Sequence, residues 1–219
     1  MTIHRIVCLA NSRKAAGRCV AGKHTDSGLW LQPVSGRRTA EISDAERRYE
    51  DGTSANVLDL IDIPILRSAA SGHQAENSLI DSARRWTKAG SFPRTELARL
   101  VDQPESLWKN GYSSAGGQND RVPAEVGMSG GSLYLVRPEY LTLQVTSVMA
   151  AGVRLGSKLR ALFSYGSVRY NLGVTDIDVE KAFFAKGDGA YPLANAFLCV
   201  SLGEMYRDGY CYKLVAAIM

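Results

Sequence analysis

The constraint that narrows the fold most is a succession of short apolar runs from Leu141 onward. Leu141–Met149, Leu159–Tyr165 and Ser167–Val174 have strand length and strand composition, with Gly166 breaking the second from the third. A charged, helix-compatible stretch follows over Asp176–Lys186, for which Asp178 is the expected N-cap and Glu180 sits near the positive end. Ala196–Glu204 and Gly209–Ile218 are two further β runs around Arg207-Asp208-Gly209. Asp-Gly between β runs is a strong hairpin signal, because these residues accept the positive φ of a tight turn. Strands in this order, interrupted by one helix, make the five-stranded Greek-key barrel known as the OB fold.

The first part of the chain supplies a second set. Ile3–Ala10, Arg18–Lys23 and Gly28–Val34 read as three strands, with Pro33 marking an edge or a strand end, and Val57–Leu66 and Ser132–Arg137 complete five. Helices are expected over Ile42–Asp51, over Ser78–Lys88, where Leu79, Ile80, Ala83 and Trp86 are spaced for one apolar face, and from Pro93 or Thr95 to Val101. The expected fold is mainly β with α insertions (α+β): two OB-like β-barrels in tandem, the first interrupted by a helical insert. The expected domains are residues 1–138, with the insert at about 68–110 and a Gly-rich loop at 110–131, and residues 139–219. A loop of that length inside a compact domain tends to be functional or mobile.

Charge is distributed unevenly. The 219 residues carry a net +4, yet residues 1–38 hold seven Lys/Arg (Arg5, Arg13, Lys14, Arg18, Lys23, Arg37, Arg38) against Asp26 alone, so the remainder is net acidic. Such a field permits a polyanionic partner without requiring one. Cys8, Cys19, Cys199 and Cys211 lack CxxC spacing and lie in apolar runs, where a thiol behaves as a small hydrophobe. No metal or cofactor is expected. No apolar run approaches the length of a membrane-spanning helix, and a reduced, cytoplasmic protein is the default expectation.

The opening IVCLANSRKAAGRCVAG with GLWLQPVS, the middle stretches HQAENSLID and GQNDRVP, and the closing FLCVSLGE and GYCYKLVAAIM resemble a bacterial family described as a dual OB-containing domain. The resemblance spans nearly the whole length. It implies tandem OB-like barrels and an association with nucleotide- or nucleic-acid-related bacterial systems, including mobile and defence contexts. It brings no catalytic residue with it.

Three groups of residues are candidates for function. Arg13, Lys14 and Arg18 at the first hairpin turn, with Arg37 and Arg38, are placed to meet phosphates, and Trp30 is a candidate stacking platform for a base. Tyr165, Arg169 and Tyr170 form a comparable set later, although strand parity turns Arg169 away from Tyr170. Asn119, Asp120 and Arg121 in the Gly-rich loop suit either bidentate recognition or pinning of the loop. His73 and Glu76 are the only His–carboxylate neighbours resembling an acid/base pair. There is no P-loop, GxGxxG, HExxH or GxSxG motif.

The leading expectation is a non-catalytic nucleic-acid-binding accessory protein, favouring single-stranded DNA or RNA over duplex, with a protein partner encoded nearby and no membrane partner. Alternatives are an enzyme or sensor for a nucleotide-sized ligand, using Glu76, Asn119, Asp120 and Arg121 in a cleft between the barrels, and a protein-interaction adaptor.

Overall fold

A computed structural model of the chain describes residues 1–126 and 131–219, so four residues of the expected 110–131 loop lie outside the described residues. The described residues divide into two compact units, residues 1–100 with 131–133 and residues 101–126 with 134–219. Residues 101–126, expected in the first barrel, therefore group with the second unit.

The first unit is built on β1 (Thr2–Lys14), β2 (Gly17–His24), β3 (Trp30–Val34), β4 (Asp59–Ser68), β5 (Asn77–Ile80) and β6 (Thr87–Ser91). The ladders run β1-β2-β3-β5-β4, and β4 pairs back onto β1, which closes a five-stranded barrel with β6 added beside β4. All contacts in the circuit are antiparallel except β3–β5, where Gln32 lies beside Asn77 in a parallel pair. Period-two alternation sends Ile6, Cys8, Val20, Leu31, Ile61, Ile63 and Ile80 into one core, which also takes in Trp86.

The expected helical insert is not helical over most of its length. Asn77–Ile80 is a strand because β3 and β4 would otherwise leave two unpaired edges, and β5 satisfies both. A turn follows, in which the Asp81 carbonyl accepts from Arg84 N at 3.1 Å, and the chain then buries Trp86 completely. The helical spacing of Leu79, Ile80, Ala83 and Trp86 comes from a strand, a turn and an anchoring aromatic in succession. Only Arg94–Leu100 is helical, as a 3-10 helix that buries Leu97.

The helix expected over Ile42–Asp51 is also absent. Ser43 and Glu46 make the start of one, with Ser43 N and Oγ both donating to Glu46 Oε2 and Arg47 N donating to Ser43 O. The chain then reverses, because Tyr49 N bonds Thr53 O at 2.8 Å and the buried Tyr49 hydroxyl reaches Asp59 at 3.0 Å.

The second unit contains β7 (Arg121–Pro123), β8 (Leu133–Val136, of which Leu133 groups with the first unit), β9 (Tyr140–Ala150), β10 (Val153–Tyr165), β11 (Val168–Val174), β12 (Gly189–Leu193), β13 (Leu198–Met205) and β14 (Tyr210–Ile218). Its sheet runs β12-β9-β10-β11-β14-β13-β8. Within it, β9-β10-β11-β14-β13 repeats the order β1-β2-β3-β5-β4, including a parallel contact between the third and fifth strands, Gly173–Val174 against Leu214–Val215. The single α-helix among the described residues, α1 (Ile177–Phe184), lies between the third and fourth strands of that set. Its N-cap is Asp176, not Asp178: Asp176 Oδ1 accepts from Val179 N at 3.1 Å while Oδ2 accepts from Ile218 N at 3.1 Å, a second bond that ties the cap to the last strand. Leu143, Val145, Phe163, Leu172, Phe183, Leu198 and Val215 share the core. Among the described residues no helix is long and apolar enough to cross a membrane.

Candidate nucleic-acid interface

The first hairpin is longer and tighter than its sequence suggests. Asn11–Lys14 continue β1, the turn is only Ala15 and Ala16, and Arg13 stands directly opposite Arg18. Arg18 also exchanges both backbone hydrogen bonds with Ile42, at 2.8 and 2.9 Å, so this hairpin is tied down along one side. The approach is so close that a Cβ on Gly17 would collide with the Ile42 carbonyl oxygen, which explains glycine there.

That tether brings acids to the cations. Arg37 Nη1 bonds Glu46 Oε2 at 2.6 Å. The Arg47 hydrogen bond and charge hold the Asp44 carboxyl below its ordinary value, and Arg18 and Arg48 add to the effect. A hydrogen bond from Thr39 lowers Glu41, with smaller contributions from Arg37 and Lys14. The local positive field of the sequence is therefore partly spent within the unit: Arg5, Arg13, Arg37 and Arg38 are exposed, and of these Arg5 and Arg37 are ion-paired with Asp62 and Glu46.

Trp30 is half-buried, with Lys23 Nζ 5.2 Å from its ring centroid, and that ammonium donates to Leu100 O at 2.7 Å. The ring is therefore already part of a packed cation–aromatic pair. His73 is buried, and Glu76 accepts from both the backbone N–H and the hydroxyl of Ser132. Glu76 acts as a clasp within the first unit.

In the second unit the third and fifth strands touch only briefly, and the Gly-rich segment fills the seam between them. Gln118 forms a bridge with Asn171 of β11, and β7 then pairs with Tyr210–Tyr212 of β14. Asp120 organises this segment. Its carboxylate accepts from Ser114 N at 2.8 Å, Ser114 Oγ at 2.6 Å and Arg160 Nη2 at 3.2 Å, and its carbonyl accepts from Lys213 N at 2.8 Å. A Cβ on Gly117 would overlap that carboxylate. Asn119 adds bonds to Gly111 N and Arg169 O, at 2.7 and 2.9 Å. The described part of the loop is pinned to the unit, and Asp120 and Glu76 are each closed within their own units.

Lys213 anchors the start of the same segment. It is fully buried, and Nζ donates to Lys109 O at 2.8 Å and Asn110 Oδ1 at 2.9 Å. Burial pulls its pKa down to about 7, against an opposing pull from Asp120. Tyr170 is buried with its hydroxyl accepting from Leu107 N, so it offers no stacking face, and the half-buried Tyr165 donates to Pro104 O.

Arg121 is different. Its guanidinium lies over the Tyr210 ring at 4.0 Å, Nη1 is 3.6 Å from Asp208, and the buried Nε has no hydrogen-bond partner among the described residues. Tyr112 packs 6.3 Å from Tyr210, and Tyr206 packs edge-on at 6.1 Å from Tyr212, whose hydroxyl bonds Asp208 at 2.7 Å. Tyr206 is 62% exposed. The end of the β13–β14 hairpin thus carries three tyrosines, Tyr206, Tyr210 and Tyr212, joined by Tyr112 and Arg121 from the preceding segment.

A family model for a dual OB-containing domain matches residues 4–218. The chain belongs to that family. No curated protein and no solved structure matches it significantly. In OB folds, oligonucleotides meet the face of the second and third strands and the loops after the first and fourth. In this dual OB-containing chain those loops are the β1–β2 and β9–β10 turns, the 69–76 segment and the β13–β14 tip. Sequence reasoning found Arg121 but missed its tyrosines. The signal was present: the Asp-Gly turn of Tyr206-Arg207-Asp208-Gly209-Tyr210 places Tyr206 opposite Tyr210, whose carbonyl accepts from Tyr206 N at 2.8 Å.

Proposed function

We propose that this protein is a non-catalytic nucleic-acid-binding accessory or recognition component, built as two OB-like barrels in tandem and favouring single strands over duplex. The observation that carries the reading is the Arg121–tyrosine cluster at the β13–β14 tip, an OB ligand loop with the exposed Tyr206 ring beside an arginine stacked on Tyr210. Rings of this kind accept any base on their faces, and an arginine stacked among them adds attraction for the base and for phosphate. Arg13, Lys14, Arg18 and Arg38 contribute a weaker electrostatic contact from the first unit, because carboxylates already face Lys14 and Arg18. The carboxylates considered for chemistry, Glu76 and Asp120, are both engaged in holding structure.

Fluorescence anisotropy with labelled single-stranded DNA, single-stranded RNA and duplex, titrated with salt, tests this reading. Each single-strand phosphate contact should add about 0.7 to the slope of log affinity against log salt. Tyr206→Ala should weaken single-strand binding without moving the thermal midpoint. Wild-type affinity unchanged by that substitution, and by Arg121→Glu in a folded variant, would reject this site.

A further inference from the structure

The β9–β10 hairpin extends beyond the sheet that holds it. β12 pairs with β9 only from Leu141 to Val145, and β11 pairs with β10 only from Arg160 to Tyr165. Beyond those limits, Thr146–Ala150 and Val153–Lys158 have one another as their ladder partners among the described residues. Two-stranded ribbons are marginal in water, and proteins generally keep such ribbons polar. This one exposes Met149 at 56%, Val153 at 62% and Leu155 at 67%. Leu155 occupies the register shift between Arg154 and Gly156, so it is the extra residue of a bulge, a device that redirects a side chain out of the ladder.

The charge of the ribbon indicates what would cover these residues. It carries Arg154 and Lys158, and the sequence holds no carboxylate between Glu139 and Asp176. Asp188 reaches only the base of the ribbon, where it accepts from Ser147 N and Oγ at 3.0 Å. Arg154 is steadied by a 2.7 Å bond to Ser157 Oγ, and it shares a face with Met149, its ladder partner. The turn itself is Ala151-Gly152, both at positive φ and both small, so the tip is narrow.

We infer that this ribbon is a duplex-binding arm: Arg154 and Lys158 contact phosphates while Leu155 and Met149 press against base pairs in a groove. A two-stranded ribbon fits the major groove, and apolar wedges of this type partly unstack base steps where proteins enter the minor groove. The inference adds a second ligand class to the single-strand reading above and rests on that reading only for the protein's being a nucleic-acid binder.

The test uses the full chain and a 20-base-pair duplex containing 2-aminopurine, beside a single strand of the same sequence. Duplex binding by the wild type should raise 2-aminopurine fluorescence. Met149→Ser with Leu155→Ser should abolish that rise and weaken duplex binding at least tenfold, a loss well beyond any change in single-strand binding, with the circular dichroism spectrum unchanged. Arg154→Glu with Lys158→Glu should weaken duplex binding and flatten its salt slope. Duplex affinity unaffected by both pairs overturns the inference, as does a wild type that binds single strands alone. Duplex binding with no single-strand binding would uphold the arm and reject the tyrosine site. Wild-type dimers in sedimentation velocity that become monomers on Met149→Ser with Leu155→Ser would overturn the arm in favour of self-association.

Discussion

The β1–β2 and β9–β10 hairpins hold the same place in the same strand order, yet they present opposite surfaces. The first is strongly cationic in sequence, but its tip is bonded to Ile42 and faced by Glu41 and Asp44. The projecting ribbon of the second has only two cations, Arg154 and Lys158, but among the described residues no carboxylate pairs with them, and the apolar Leu155 stands between them. Charge counted along a chain is therefore a poor measure of charge available to a ligand, because a neighbouring segment can spend it. The tethered hairpin resembles a finished part of its barrel, and the free ribbon resembles a part awaiting a partner.

The largest expected effect concerns what holds the second unit in shape for binding. Asp120→Ala would leave Arg160 without its carboxylate and release Ser114, and loss of a buried ion-pair partner costs about 3–5 kcal/mol. The urea midpoint should fall sharply; an unchanged midpoint would mean that the 110–126 segment is not a structural part of this unit. Next in size, Tyr206→Ala should cost about 1–3 kcal/mol of single-strand binding, read by anisotropy at fixed salt. Reversal of Arg13, Lys14 and Arg18 to Glu should weaken single-strand binding by less than about tenfold, or about 1.4 kcal/mol, because those cations are partly neutralised already. A larger loss there than from the ribbon reversal on duplex would invert the comparison between the hairpins.

A further expectation, on stability and not on binding, is a pH dependence from Lys213. Its pKa is lowered from 10.5 to about 7 on folding, so between these values the unfolded chain binds more protons than the folded one. Stability therefore rises with pH through this window, and the contribution is missing below it, where the folded protein must bury a charged ammonium. Lys213→Met should remove that rise from denaturation midpoints measured between pH 6.5 and 9.5. A wild type and variant with parallel profiles would show that the amine stays charged in place.

Much of the fold was legible because strand alternation and the Asp-Gly turn are local signals. The closing strands and α1 follow them closely, with only the cap displaced from Asp178 to Asp176 by a bond to Ile218 that no local pattern carries. Asn77–Ile80 was misread for the opposite reason: two strands distant in sequence needed a partner between them, and that demand outweighed the helical spacing. At the candidate site Arg121 was visible as a cation in a glycine-rich loop, but its neighbours arrive from β14 through the β7 pairing. The acids facing Lys14 and Arg18 were hidden likewise, because a bridge between Arg18 and Ile42 brings them close.

The most direct test of the account is a salt-titrated binding curve of the full protein with a labelled single-stranded oligonucleotide, run beside Tyr206→Ala. Wild-type binding should weaken steeply with salt, and the variant should bind more weakly with an unchanged salt slope, since a ring is lost and no phosphate contact with it. No binding of the wild type to single-stranded DNA, single-stranded RNA or duplex at low salt would contradict it.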